Sequence, residues 1–199
     1  AASDVYKRQF FRRALFTQDA YFYEASFTQA AYFMRATFSQ AAYFRRAAFA
    51  QAADFAQATF TQTADFSQAA LAQGADFTEA TFTQDAFFNL TVFGPVKGAA
   101  PVRVSGKPIT DFRATNFEQP ARVHFYRVNK DSPQGLRARF LNCNLEGVHF
   151  VDVHWHRQHG RLVLQDELDI PERESKAYGL VGIAYRRLIN NFEKVRDYD

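Results

Sequence analysis

The sequence predicts an all-β fold, a solenoid of short extended sides, followed by one C-terminal α-helix. Three observations predict it. An eleven-residue phrase repeats over residues 10–93, large residues recur at a strict five-residue spacing over 138–155, and apolar residues recur at threes and fours near the C-terminus. The chain has 199 residues, with 23 Phe and 9 Tyr against one Trp and one Met. One bulky residue chosen so often marks a repeated packing position.

Residues 1–9 are set aside. Asp4-Val5-Tyr6-Lys7-Arg8-Gln9 reads as a frame translation of GATGTGTATAAGAGACAG, part of a transposase end used in preparing sequencing libraries. The stretch is expected to be a sequencing scar and the chain a fragment truncated at both ends.

Over 10–93 the phrases read AYFYEASFTQA (20–30), AYFMRATFSQA (31–41), AYFRRAAFAQA (42–52), ADFAQATFTQT (53–63), ADFSQAALAQG (64–74) and ADFTEATFTQD (75–85). Large residues alternate at five and six, and each has a small residue two places earlier, as Ala31 has before Phe33 and Ala36 before Phe38. Two structures use such a pattern. An α-helix accommodates eleven residues in three turns, about 98° per residue, and winds into a right-handed supercoil. A β-solenoid instead points residues two apart the same way and stacks them on the next coil. Downstream, ARFLN-CNLEG-VHFVD-VHW places Phe140, Leu145, Phe150 and Trp155 five apart, preceded by Ala138, Cys143, Val148 and Val153. A spacing of five leaves no single stripe on a helix. One rule generates both segments, which favours the solenoid, and the eleven-residue phrase becomes two five-residue sides plus one corner residue. The expected core comprises Phe33, Phe38, Phe44, Phe49, Phe55, Phe60, Phe66, Leu71, Phe77, Phe82, Phe140, Leu145, Phe150 and Trp155.

The stretch 94–108 carries Gly and Pro and reads as a linker or excursion. Coils are expected to resume over 109–164, with Phe112 and Phe117 five apart and a loop over Asn129–Gly135. Over 165–199 the sequence gives an acidic linker and then an amphipathic helix from Glu172 or Ser175. Its apolar face is Tyr178, Val181, Tyr185, Leu188, Phe192 and Val195. Its expected role is to cap the last coil, whose strand edge is otherwise open.

The ARFLN-CNLEG-VHFVD series resembles the pentapeptide-repeat family, whose unit is a small residue, Asp or Asn, Leu or Phe, then two variable residues. ADFTEATFTQD resembles a divergent branch with alternating five and six spacing. The resemblance covers 10–93 and 138–155, and it implies a right-handed quadrilateral parallel β-helix with the large residues inside. The text AYRRLINNFEKVRDYD is similar to a helical segment that follows such repeats in larger bacterial proteins, some with membrane segments further on.

Chemistry finds little purchase in the sequence. A single cysteine, Cys143, excludes a disulfide framework and reads as a small buried hydrophobe. His149 and His154 fall on adjacent faces and diverge, and His156 with His159 is too small a set for a metal site. Asp166, Glu167, Asp169, Glu172 and Glu174 read as a solvated acidic linker, and Asp54, Asp65 and Asp76 as corner hydrogen-bonding or solvent-facing groups. No phosphate loop, nucleophile elbow or zinc motif appears in the sequence. Residues 10–93 hold five Arg and seven acidic residues, so neither a basic nucleic-acid stripe nor a dense anionic duplex mimic is expected. No apolar run of membrane-spanning length occurs.

The expectation is therefore a non-catalytic solenoid, with no enzyme activity and no cofactor, serving as a protein-interaction or structural scaffold module of a larger bacterial protein. Its partner is a protein, with no nucleic acid, and its location is cytoplasmic, with membrane association only through the rest of the full-length chain. Two alternatives are the cytoplasmic part of a pentapeptide-repeat membrane protein, channel-like in one version, and a right-handed helical coiled-coil array.

Overall fold

Each small-x-large triplet makes one short side, so two phrases close a four-sided coil. The computed structural model describes residues 9–95, 108–130, 132–170 and 175–196, with the side chains of the last helix described over 178–189. In it, strands 22 residues apart pair in parallel: Ala31 lies beside Ala53, and Ala53 beside Ala75. The four faces carry six, five, six and four strands in chain order around the coil. About six coils stack into a parallel β-solenoid. The helical-array alternative is thereby overturned. The Phe33 N–H reaches Asp54 O, one coil onward, at 2.6 Å, and the Thr37 N–H reaches Ala14 O, one coil back, at 2.9 Å.

The two kinds of corner explain the five-six alternation. At the five-step corner Ala36 N–H donates to Phe33 O at 2.9 Å, and Arg35 takes φ 58°, the positive φ of a type II turn. The same conformation recurs every eleven residues at Arg13, Glu24, Arg46, Gln57, Gln68, Glu79 and Leu90. At the six-step corner Ser39, Gln40 and Ala41 turn the chain without positive φ. Over 138–155 every corner is of the tight kind, at Asn142, Gly147 and Asp152. Those three residue types tolerate the left-handed region best.

Inside, the large residues form four columns. On the first face Phe11, Phe33, Phe55, Phe77, Phe112 and Phe140 stack with centroids 4.6–5.3 Å apart and planes within 9°. The third-face column (Phe22, Phe44, Phe66, Phe88, Phe125, Phe150) meets it edge to face, as Phe44 meets Phe55 at 5.2 Å and 82°. Every residue of the expected core is buried, from Phe33 to Trp155.

The coils are interrupted at Asn129, itself at φ 56° and fully buried. Its side chain imitates the strand that the loop displaces. Asn129 Oδ1 accepts the Phe93 N–H at 2.7 Å and Nδ2 donates to Phe93 O at 3.0 Å. Leu136 then restores the fourth face, where it pairs with Trp155. The stretch 96–107 lies outside the described residues, as do residues 1–8.

The coils end sooner than expected over 109–164, because Arg157–Gln158 and Arg161–Leu162 pair as an antiparallel hairpin. The acidic linker is also corrected. Gln165–Leu168 forms a helical turn, α1, with Asp166 buried rather than solvated, while Glu172 and Glu174 lie outside the described residues. Helix α2 spans Ser175–Arg196. Among its described side chains Val181, Ala184 and Leu188 are buried and Tyr178 is exposed, so the packed stripe over these residues starts one turn later than expected. The side chains of Phe192 and Val195 lie outside those described.

Candidate functional site: the outward ladders and the capped end

In every coil the inward residues direct their backbone groups toward the next coil. The last coil has no successor, and side chains stand in for it. The Phe140 N–H, whose equivalents at Phe33, Phe55 and Phe77 donate to a following strand, donates to Asp166 Oδ2 at 2.6 Å. The Cys143 carbonyl, whose equivalents at Ala36 and Ala58 accept from the next coil, accepts from Arg187 at 2.8 Å. A carboxylate thus meets a donor and a guanidinium an acceptor. Burial pushes the Asp166 carboxyl above the ordinary range, against the N–H bonds of Phe140 and Leu141, which pull it down. Burial likewise pushes the Cys143 thiol up, so it stays a protonated core group. Arg139 ties this end down by bridging Asp111 at 3.0 Å and Asp169 at 2.6 Å. Burial by itself raises the Asp111 carboxyl, but Arg113 and Arg139 hold it below its ordinary value.

Outward side chains at one position are stacked by the 22-residue register. Two corner ladders run through the left-handed residues. Arg35 donates to Gln57 at 2.6 Å and Gln57 to Glu79 at 2.6 Å, while Arg46 donates to Gln68 at 2.8 Å and pairs with Glu24 at 3.3 Å. The aspartates singled out in the repeat cap their own corners: Asp54, Asp65 and Asp76 accept from Ala56, Ser67 and Thr78 at 2.8–3.0 Å. On the first face Tyr32, Asp54, Asp76 and Asp111 line a shallow groove walled by Ile109. The wall needs Gly74, at φ 79°, since a Cβ there would lie 2.1 Å from Ile109 O.

On the third face Tyr21, Tyr43, Asp65, Phe87, His124 and His149 follow one another in register. Tyr21 stacks on Tyr43 at 5.2 Å, Phe87 on His124 at 5.5 Å and His124 on His149 at 4.8 Å. Burial lowers the His124 pKa and the neighbouring His149 lowers it further, with Asp85 opposing. His149 Nε2 lies 3.1 Å from Ala121 O, and His154 Nδ1 on the next face lies 3.2 Å from Asn129 O. The structure therefore brings His149 to His124, a pairing the sequence reading missed, and not to His154. Among the described residues no group of three or more metal-ligating side chains could hold an ion.

The family model for pentapeptide repeats (9 copies) matches residues 8–48, 22–70 and 44–92 in overlapping alignments. No curated protein and no solved structure matches the chain. The family match ends before the interruptions at 95–108 and 129–135, although the same small-x-large rule continues to Trp155. Residues 8–92 are thus similar to pentapeptide repeats, and the four-sided parallel coil that they form continues beyond the matched residues.

Proposed function

We propose that the chain is a non-catalytic interaction and spacing module of a larger bacterial protein, with another protein as its partner. The observation that carries this reading is the continuous ring-stacked core. It makes a stiff four-sided rod, rising about 4.8 Å per coil, whose outward residues are held in fixed register. The second and fourth faces are flat, with Thr37, Thr59 and Thr81 on one and Ser26, Ala48 and Ala70 on the other. Flat faces suit docking rather than enclosing a substrate. Nucleic acid is not the expected partner, because the five Arg of residues 10–93 are outnumbered by seven acidic residues and form no basic stripe. The described helices include none long and apolar enough to cross a membrane, and on this reading the module works in the cytoplasm.

Photo-crosslinking residues placed at Thr37, Thr59, Ala48, Gln73 and Tyr43 in expressing cells test the reading. Crosslinks to one protein, confined to one or two adjacent faces, are expected. Absence of protein crosslinks from all positions would sink it.

A further inference from the structure

The third-face column has a missing rung. Six outward positions lie in register, and five of them are rings. Asp65 holds the remaining position, between Tyr43 and Phe87. Elsewhere in the column one step separates centroids by 4.8–5.5 Å. Two strand steps thus separate Tyr43 from Phe87 by about 10 Å. A flat group entering between them would lie about 5 Å from each ring, within cation–π range.

The floor of this gap offers acceptors. Asp65 Oδ1 accepts the Ser67 N–H at 2.8 Å, Oδ2 takes no hydrogen bond and no ion pair reaches Asp65 among the described residues. Asn89 Oδ1, beside it in the cavity that Phe87 and Asp65 line, is buried without a hydrogen-bond partner among the described residues. Two π faces, a carboxylate and an orphan amide oxygen call for a flat cation rich in N–H donors. A guanidinium has that shape and charge, with five donors, whereas an ammonium is neither planar nor able to stack. The protein already uses this pairing at its other aromatic stack, where the Arg12 guanidinium lies 5.1 Å from the Tyr32 ring.

We propose that the gap between Tyr43 and Phe87 is a binding slot for an arginine side chain of a partner protein, whose guanidinium completes the column and pairs with Asp65 and Asn89. This names one contact of the interaction module proposed above and rests on that reading. Arg45 is exposed at the rim of the cavity and competes for the slot.

The test is an amide chemical-shift titration of the full chain with N-acetylarginine methylamide, compared with N-acetyllysine methylamide and adenosine. Saturable shifts confined to Tyr43, Asp65, Ser67, Phe87 and Asn89 are expected, with the lysine analogue at least about fivefold weaker. Asp65→Asn keeps the Ser67 cap but removes the charge, and weakens binding by about tenfold. Arg45→Ala tightens it. Asp65→Tyr fills the rung, abolishes binding and raises the melting temperature. No saturation at tens of millimolar overturns the slot, as does equal binding by Asp65→Asn or tighter binding of adenosine. Because the probes are small and the assay is in vitro, failure here leaves cellular crosslinks from other faces free to support or sink the module reading separately.

Discussion

Replacing Phe55 by alanine tests what holds the coils together. Phe55 is fully buried and stacks on Phe33 at 4.9 Å and on Phe77 at 5.1 Å, while Phe44 and Phe66 each meet it edge-on at 5.2 Å. Lost transfer free energy alone amounts to about 2 kcal/mol, and each close aromatic pair adds roughly 0.5–1.5 kcal/mol. A cavity inside a stacked column collapses poorly, since its walls are fixed by coils above and below. The expected cost is therefore about 4 kcal/mol, in the upper range for phenylalanine truncation, and the melting temperature falls by roughly 10 °C. Phe55→Leu should cost less, because Leu71 already occupies one position of the fourth-face column. Thr59→Ala, on an outward position, should stay within about 0.5 kcal/mol. Guanidinium chloride unfolding followed by circular dichroism measures the total, and amide exchange resolves it by coil, since stacked repeats can open in parts. A cost for Phe55→Ala below about 1 kcal/mol would refute the ring columns as the principal source of stability.

Three further outcomes follow from the ends and interruptions. Asn129→Ala leaves the Phe93 N–H and C=O without the partners of the native state, and should cost about 2–4 kcal/mol in chemical unfolding; a neutral result would mean that the loop re-forms the ladder. Asp166→Ala should raise the exchange rate of the Phe140 amide by about tenfold, with Asp166→Asn intermediate; unchanged exchange would show that α1 is not the cap. His124 has a folded pKa below its ordinary 6.5. The folded state thus binds its proton less readily than the unfolded chain, so its stabilising effect is present above pH 6.5 and lost as pH falls through the lower folded value. Thermal melts across that window should show this slope, and His124→Gln should flatten it.

Much of the fold was legible because inward positions repeat a single solution. Once Phe33 and Phe38 are read as neighbouring sides, the rule reaches Phe150 without change. The helix alternative survived in the array because eleven residues suit both geometries, and only the fives beyond Ala138 separate them. The cap was not legible. Asp166 sits in an acidic run that looks solvated, and nothing local announces that its carboxylate replaces a missing strand. The His124–His149 stack and the gap at Asp65 required the coil length, since they join residues far apart in sequence. Asn129 was read as the start of a loop, whereas its amide imitates a backbone, which depends on which strand the loop displaces.

Since one coil takes two phrases, a single phrase is half a revolution. Duplication or loss of eleven residues, the natural slip of a repetitive gene, would leave each large inward residue still sitting on a large inward residue. It would nevertheless swing everything downstream to the opposite side of the rod, carrying His124 and His149 from the third face to the first. Gain or loss of two phrases changes only the length. The number of phrases therefore acts as a compass bearing for the C-terminal surface, with even changes extending the rod and odd changes reversing its heading.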